Sequence, residues 1–378
     1  MSTGVSCQTW LEAGILSRSM HSYGELSKRA GHGILFTYTD DIQAEQSLIN
    51  EYSKHLLPIS VLQKSFSPKF RYRHLLSSFF YPRIPWSTIP QCDLFRTTQI
   101  AGSWLARSLA KRQKVPFVLR AGYLWSDSAK VSEQGLRSNR FIHKAIVGYE
   151  RKLCEEADHI IVSANSLKRS IHKRYYIPCD KIQVIGTPID TKVFRPISNT
   201  KKKRDVLLVG RLIKLKNYRE AIIAIGKLGL KATIVGQGNL ENELKELAYS
   251  AGANIQWIKR IENEKLPNLM AEHRYYLLAS TREGCSKSLL EALSCGMVCI
   301  VNGIKENRDL VEDRVNGFVC GESASAIKSC FKKVLAMKDI EKISSLARRF
   351  ILENHELGSS VSKEISLYKN LLENISTR

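Results

Sequence analysis

Short apolar runs, several of which end at a glycine, alternate with amphipathic segments through the second half of the chain. The runs at 205–210, 231–236 and 275–280 have the length of buried strands. Between them, the segments at 217–229 and 241–252 carry apolar residues at helical spacing and close on glycine. Strands that alternate with helices in this way predict a parallel sheet joined by right-handed crossovers.

The first half of the chain alternates in the same way, but less regularly. A helical pattern over 12–30 leads through two glycines to an apolar strand at 34–38. Further strands are predicted at 117–120 and 159–164. The whole chain is therefore predicted to belong to the α/β class.

A basic run at 201–204 follows a segment with the composition of a linker, and we place the domain boundary there. The predicted domains are 1–198 and 199–358. A final amphipathic helix within 359–378 is expected to return to the N-terminal domain. A chain of 378 residues is long enough to form two such hydrophobic cores.

Composition narrows the possible partners and the compartment. The formal net charge of +22 favours nucleic acid, anionic lipid or a phosphorylated small molecule, although a general enrichment in lysine explains the charge equally well. Nine cysteines without a C-x-x-C pair indicate free thiols in a reducing compartment. The sequence shows neither a bilayer-spanning apolar run nor the pattern of a signal peptide, so a cytoplasmic location is expected.

Two carboxylates stand near a predicted helix start. Glu283 follows a predicted strand, and Glu291 comes eight positions later, on the next helix. Between them, a turn at Gly284 leads into a helix start whose free N–H groups form an anion site. Carboxylates beside such a site accept hydrogen bonds from sugar hydroxyls. In the other interpretation, residues 288–291 form a capping box and Glu291 only caps its helix.

Two cations follow a different predicted strand. Arg211 comes directly after Gly210, and Lys216 follows five residues later. Because the carboxyl ends of parallel strands share one sheet edge, both side chains are expected near the anion site. Arginine binds phosphate with two parallel hydrogen bonds and lysine supplies a point charge. The alternative is a solvated basic loop.

Taken together, these motifs resemble glycosyltransferase family 4, a retaining family with the GT-B fold. The resemblance covers nearly the whole chain and is strongest over 205–320. The family pattern is G-R-L, a lysine five residues after the arginine, G-x-G, and E-x7-E. Its counterparts here are Gly210-Arg211-Leu212, Lys216, Gly236 with Gly238, and Glu283 with Glu291.

This resemblance implies a fold and an activity. Two Rossmann-like domains would face each other across a cleft, with the donor held mainly by the C-terminal domain and the acceptor by the N-terminal one. A hexosyl group would pass from a UDP- or GDP-type nucleotide-sugar with retention, without a metal or a cofactor. The acceptor would be a cell-surface glycan or a lipid-linked sugar.

Site residues are also implied by the resemblance. Arg211 and Lys216 would neutralise the leaving diphosphate, Glu283 would contact the transferred sugar, and Glu291 would bind the ribose. Backbone N–H groups around Cys285, Ser286 and Lys287 would hold sugar and phosphate oxygens, and Gly236 and Leu266 would border the nucleotide. Gly238 and Gly284 would complete the donor site.

The N-terminal side departs from the family pattern. Gly122-Tyr123 stands where many members have a cleft histidine, so no acid/base residue is assigned. Gly4 would belong to the opening glycine-rich loop, and the strand before it is expected to be missing or to lie upstream. Arg120 either faces the cleft or is a buried strand-end arginine with a partner.

Other functions remain open from the sequence. Residues 64–86 combine basic and aromatic side chains, which suits an anionic membrane surface, although the aromatics would also suit a domain core. We expect peripheral attachment to the inner membrane face. Nucleic-acid binding is less favoured, because no RRM, KH or zinc pattern is present. A binding subunit without catalysis is a second alternative.

Overall fold

A computed structural model describes residues 5–12, 14–37, 39, 41–60, 89–129, 140–198 and 200–376. The chain divides into two compact units: unit 1 is Met1–Gly186 with Ser360–Arg378, and unit 2 is Thr187–Ser359. The division at residue 186 precedes the expected boundary at 198, because the intervening residues pack within unit 2. Phe194 is buried in its core, and Ile189 forms a parallel bridge with Glu356.

Unit 1 is built from short parallel strands and the helices that connect them. Its strands are β1 (Gly33–Thr37), β2 (Leu56–Ser60), β3 (Phe95–Arg96), β4 (Phe117–Ala121), β5 (His159–Val162) and β6 (Ile182–Val184). Its helices before the division are α1 (Cys7–Glu12), α2 (Leu16–Ala30), α3 (Ile42–Asn50), α4 (Trp104–Gln113), α5 (Trp125–Ala129), α6 (Arg140–Glu156) and α7 (Asn165–Tyr175).

The strands of unit 1 form two separate parallel sheets. One has the order β1-β2 and the other β3-β4-β5-β6. Within the described residues no strand joins β1 to β3, and the ring of Phe36 lies 6.4 Å from that of Phe95.

Unit 2 continues the alternation. Its strands are β7 (Arg204–Val209), β8 (Lys231–Val235), β9 (Asn254–Ile258), β10 (His273–Leu278), β11 (Val298–Asn302) and β12 (Phe318–Cys320). Its helices are α8 (Tyr218–Leu228), α9 (Glu241–Ser250), α10 (Leu266–Ala271), α11 (Lys287–Ser294), α12 (Lys305–Arg308), α13 (Ala324–Leu335) and α14 (Ile340–Asn354). The strands form one parallel sheet in the order β12-β11-β10-β7-β8-β9.

The last helix, α15 (Leu357–Ser376), belongs mainly to unit 1. Leu367 packs against Val118 of β4 and Ile161 of β5. The neighbouring residues of the same strands, Leu119 and Ile160, point into a different core that α4, α6 and α7 complete. Alternation along a strand therefore puts α15 on one face of the sheet and those three helices on the other. The expected return of the C-terminal helix to the N-terminal domain is confirmed.

Two further expectations can be compared with the structure. All nine cysteines are free, in agreement with the expected thiols. Within the described part of the chain, no helix has the length and hydropathy required to cross a membrane.

Candidate active site

The order of strands in unit 2 sets the position of the site. From β7 the chain adds β8 and β9 on one side, and then returns to add β10, β11 and β12 on the other. The direction of winding thus reverses between β7 and β10. Open α/β sheets bind ligands in the crevice at the carboxyl ends of strands at such a reversal. The loops that follow β7 and β10 are the ones that carry the predicted site residues.

Lys216 and Glu283 meet in this crevice. Lys216 Nζ lies 2.5 Å from Glu283 Oε1, and the two side chains are 18% and 11% exposed. The backbone N–H of Thr281 donates to the carbonyl of Leu215 at 3.0 Å, so the two loops are also joined through their main chains. The predicted convergence of the two loops is therefore observed.

Arg211 differs from Lys216 in its surroundings. Its side chain is exposed, and no hydrogen bond or ion pair connects it to any described residue. The nearby cation, Lys216, is already engaged with Glu283. The guanidinium of Arg211 is consequently available for two parallel hydrogen bonds to an anionic ligand.

Tyr218 supports the base of the same crevice. Its hydroxyl donates to the carbonyl of Gly210 at 2.9 Å, and burial, with a smaller effect of the Glu283 charge, raises the pKa of the phenol. The tyrosine therefore stays protonated and keeps donating at any physiological pH. A Cβ at Gly210 would lie 3.3 Å from Lys216 Cε, so glycine leaves room for the lysine stem.

The glycines after β8 are explained by backbone contact. A Cβ added at Gly236 would lie 1.9 Å from the carbonyl oxygen of Gly210, and one at Gly238 would lie 2.3 Å from that of Leu212. Leu212 N–H also donates to the carbonyl of Gln237 at 3.0 Å. The G-x-G segment therefore fixes the loop that carries Arg211 and Lys216.

We expect Gly236→Ala to destabilise unit 2 by about 1–3 kcal/mol, as overpacking does in well-packed interiors. The φ of 155° at this position adds backbone strain for alanine. Gly148→Ala on α6 is the control, because its Cβ would meet nothing within 4 Å and should stabilise the helix by about 0.5–1 kcal/mol. Thermal unfolding measures both, and equal melting temperatures for the two variants would contradict the close approach of the loops.

The start of α11 lies where the sequence predicts an anion site. Its N-cap residue, Ser286, is 4% exposed and makes no side-chain capping hydrogen bond within the described structure. Ser288 instead accepts a 2.7 Å hydrogen bond from Tyr276 and donates to the carbonyl of Val209 at 3.3 Å. The positive end of the helix dipole thus lies at a start that the Ser286 side chain does not cap, and such a start suits an anionic ligand. Gly284, Cys285 and Lys287 lie half-buried around the same turn.

Glu291 is placed differently from the capping-box interpretation, which is wrong. The helix begins at Lys287, so Glu291 is its fifth residue and lies beyond the third position that a capping box requires. Its side chain is fully buried, and Oε1 accepts a 3.1 Å hydrogen bond from Asn263 Nδ2. Leu266, 2% exposed, begins the adjacent helix α10. The geometry therefore groups Glu291, Asn263 and the start of α10.

Three N-terminal predictions concern Arg120, Gly4 and the stretch at 64–86. Arg120 forms an ion pair with Glu364 of α15, so the structure supports the interpretation of a buried strand-end arginine over that of a cleft residue. Gly4 and the basic-aromatic stretch at 64–86 lie outside the described residues.

Sequence reasoning missed several polar residues around the site. Asn302 at the end of β11 donates to the carbonyl of Ala279, which leads into the loop of Glu283. Asn307 in turn donates to the carbonyl of Asn302 at 2.9 Å. A polar residue closing the apolar run at 297–301 was a usable signal for Asn302, whereas nothing in the local pattern indicates Asn263.

Comparison with known proteins agrees with this geometry. The family model of glycosyl transferases group 1 matches residues 190–351, and that of Glycosyltransferase Family 4 matches residues 24–193. The chain belongs to glycosyltransferase family 4. It is therefore a glycosyltransferase that uses a nucleotide-sugar, with the GT-B fold.

Relatives in this family include enzymes with named acceptors. The Escherichia coli UDP-Gal:alpha-D-GlcNAc-diphosphoundecaprenol alpha-1,3-galactosyltransferase is 25% identical over 307 residues, which cover 75% of this chain and 76% of that protein. A Campylobacter jejuni N-acetylgalactosamine-N,N'-diacetylbacillosaminyl-diphospho-undecaprenol 4-alpha-N-acetylgalactosaminyltransferase is 28% identical over 170 residues, covering 43% of this chain and 45% of that enzyme.

Solved structures show the same fold at lower identity. Anabaena HepE in complex with UDP and glucose has a TM-score of 0.73 at 14% identity, over 93% of this chain and 95% of that one. Sucrose-phosphate synthase from Thermosynechococcus elongatus also has a TM-score of 0.73, at 16% identity, over 95% of this chain and 93% of its own.

Proposed function

We propose that this glycosyltransferase moves a hexosyl group from a UDP-sugar to a lipid-linked glycan at the inner face of a membrane. The observation that carries the donor side is the pairing of Lys216 with Glu283 beside the exposed Arg211. The acceptor is proposed from the two relatives described above, whose names specify acceptors linked to undecaprenol through a diphosphate.

In this proposal the donor diphosphate lies against Arg211 and the start of α11, with Lys216 beside it. The anomeric carbon–oxygen bond of the donor breaks, the acceptor oxygen bonds to the same carbon with retention, and UDP leaves. The leaving phosphate takes the acceptor proton, so no protein base is required. Fixed cations stabilise the charge that develops on the diphosphate, and the reaction proceeds without a divalent metal.

Glu283 and Glu291 have separate roles in the proposal. Glu283, held by Lys216, accepts hydrogen bonds from the hydroxyls of the transferred sugar. Glu291 lies on the next turn and accepts hydrogen bonds from the ribose, with Asn263 orienting its carboxylate. Gly236, Gly238 and Leu266 border the nucleotide.

Two measurements test the proposal in sequence. Thermal shift with a panel of UDP-, GDP- and ADP-sugars first identifies the donor, and a UDP-sugar should give the largest rise in melting temperature. Transfer to undecaprenyl-diphosphate-linked GlcNAc is then followed by mass spectrometry, and NMR of the product determines the anomeric configuration. Preference for a GDP- or ADP-sugar, or an inverted product, would contradict the corresponding part of the proposal.

A binding subunit without catalysis is the second candidate, favoured by the interruption between β1 and β3 in unit 1. Release of UDP from the UDP-sugar in water distinguishes the two. A catalytic protein hydrolyses its donor slowly without acceptor, whereas a binding subunit shows the thermal shift with no release.

Arg211→Ala and Lys216→Ala should each lower transfer on the order of 10²-fold, because each removes a fixed charge from a preorganised site. Arg211 has no described partner, so its loss should leave the melting temperature unchanged. Lys216→Ala leaves Glu283 without its cation, so it should also lower the melting temperature slightly. Arg219→Ala, an exposed cation on α8, is the control. Near-normal turnover in both site variants would show that the donor diphosphate binds elsewhere.

A further inference from the structure

Helices α6 and α7 follow neighbouring parallel strands of unit 1 and pack into the same core of that unit. The hydroxyl of Tyr175 on α7 donates to Glu150 Oε2 on α6 at 2.6 Å, which fixes the two helices together. Leu153 and Ile171 point into the core beneath the sheet. With 3.6 residues per turn, the opposite side of each helix faces away from that core. We call this the α6–α7 face and define it by Phe141, Lys144, Lys152, Arg169, Lys173 and Tyr176, all exposed.

The α6–α7 face is strongly basic. Its four cations are all exposed, while Glu155 is the only exposed acid among the described side chains of the two helices. Glu155 is neutralised by Arg151, whose Nε lies 2.7 Å from Glu155 Oε1. Exposed cations therefore outnumber exposed acids on these two helices, and a basic surface of this kind complements an anionic one.

Two aromatic side chains stand at opposite ends of this face. Phe141 and Tyr176 are each 83% exposed. Phe141 lies in the first turn of α6, and Tyr176 follows the last residue of α7. Both helices follow parallel strands and run in the same direction, so the two rings lie near opposite ends of a face whose length along α7 is about 16 Å.

Tyr176 is also held in an unusual backbone conformation. It has a φ of 58°, the left-handed region in which a helix normally ends on glycine. A bulky residue at such a position carries strain that glycine would relieve. The chain thus retains an exposed ring where folding alone favours its removal, which indicates that the ring has a role outside the fold.

We propose that the α6–α7 face docks on an anionic lipid bilayer. The four cations contact lipid phosphates, and the rings of Phe141 and Tyr176 enter the headgroup region. This inference rests on the proposed function for its lipid-linked acceptor, which such docking would bring to the domain expected to bind it. Single-stranded nucleic acid fits less well, because its binding needs aromatic rings close enough for successive bases to stack on.

The test is co-sedimentation with vesicles of phosphatidylcholine alone or with about one quarter phosphatidylglycerol. One variant replaces Lys144, Lys152, Arg169 and Lys173 by Ser, and should bind anionic vesicles at least about tenfold more weakly. A control variant loses the same number of positive charges, because it replaces the exposed Lys332, Lys333, Lys338 and Lys342 of unit 2 by Ser. Its binding to anionic vesicles should stay within about twofold of that of wild type. Binding of wild type should fall as salt is raised.

The aromatic part of the proposal has its own variants. Tyr176→Gly should weaken vesicle binding while raising the melting temperature or leaving it unchanged, a combination that a structural role would not produce. Phe141→Ser should weaken binding in the same way. Tyr249→Ser, at a ring that is 91% exposed in unit 2, is the control and should bind as wild type does.

Several results would overturn the proposal. Equal loss of binding in both charge variants would show that overall charge, not this face, attracts the vesicles. Tighter binding of wild type to single-stranded RNA than to anionic vesicles, lost in the same variant, would assign the face to nucleic acid. Donor-induced thermal shift separates this proposal from the proposed function: docking variants should keep the full shift, and a wild type that binds vesicles but no nucleotide-sugar would contradict the function while leaving the docking face intact.

Discussion

Glu283→Gln should lower the rate of sugar transfer by about 10³-fold, at the upper end of the effects seen when one fixed electrostatic group is removed from an active site. The carboxylate forms a 2.5 Å ion pair with Lys216 in the crevice between β7 and β10, and only 11% of it is exposed. Glutamine fills the same volume but carries no charge. The substitution therefore removes the negative group proposed to contact the reacting sugar and leaves the lysine without its counter-ion.

The measurement compares turnover, the donor dissociation constant and the melting temperature in one series. For Glu283→Gln we expect a large fall in turnover, a melting temperature within a few degrees of wild type, and a change in donor affinity of less than about tenfold. Glu353→Gln is the matched control, because that carboxylate forms an exposed ion pair with Arg349 on α14, and such pairs contribute little. Turnover above a tenth of the wild-type value would show that Glu283 does not take part in the transfer reaction.

Glu291→Gln should behave differently in the same series. This carboxylate is fully buried and accepts a hydrogen bond from Asn263; glutamine keeps one acceptor oxygen but replaces the other by an NH2 donor, which cannot accept a hydrogen bond from the ribose. We expect weaker donor binding with a smaller fall in turnover than for Glu283→Gln. If Glu291→Gln lowered stability alone, and low temperature restored its activity, the ribose contact would be contradicted.

The sequence was most informative where function depends on local spacing. The strands β7 and β8 follow from short apolar runs closed by glycine, and β10 follows from a similar run without one. The loops after β7 and β10 carry the predicted cations and the predicted carboxylate Glu283. Because parallel strands place their carboxyl ends at one edge, the meeting of Lys216 with Glu283 could be expected without any structure. The sequence motif also indicated Gly236 and Gly238. Only the structure shows why glycine is required there, because the backbone of another loop approaches both residues closely.

What sequence reasoning missed depends on contacts between distant residues or on the position of a helix start. The capping-box interpretation took Ser288 as the cap, whereas the helix already begins at Lys287. Helix ends are set by backbone hydrogen bonds within a turn or two, and sequence patterns locate them poorly. The partner of Arg120 is Glu364, which is 244 positions away, so no periodicity in the sequence could connect them.

Removal of Glu364, the distant partner of Arg120, should have the second large effect. Glu364→Ala should destabilise unit 1 by about 3–5 kcal/mol, as the loss of one member of a buried ion pair does. Glu364 is 6% exposed and lies between two arginines, Arg96 and Arg120, each 13% exposed. The Arg96 Nη2 donates to Glu364 Oε1 at 3.3 Å, and the hydroxyl of Tyr368 donates to Oε2 at 2.8 Å.

Removing this carboxylate leaves two guanidinium groups close together and largely out of water. Arg96 keeps some compensation from the ring of Tyr23, 5.6 Å from its Cζ, but Arg120 at the end of β4 loses its described ion-pair partner. Without Glu364, α15 loses its ionic attachment to the sheet and should detach from it more readily. The packing of Leu367 on Val118 would be lost with it, since the same helix carries both contacts.

Amide hydrogen exchange reports the stability of unit 1 separately from that of unit 2. This separation is needed because two units need not unfold together. In Glu364→Ala, amides of α15 and of β4 should exchange at least about 10²-fold faster, while those of β7 and β8 should keep their wild-type rates. Glu364→Gln retains the hydrogen-bond geometry and should give an intermediate rate, which separates loss of charge from loss of shape. Glu353→Ala should leave both units unchanged. Wild-type exchange of α15 in Glu364→Ala would show that apolar packing alone holds this helix on unit 1.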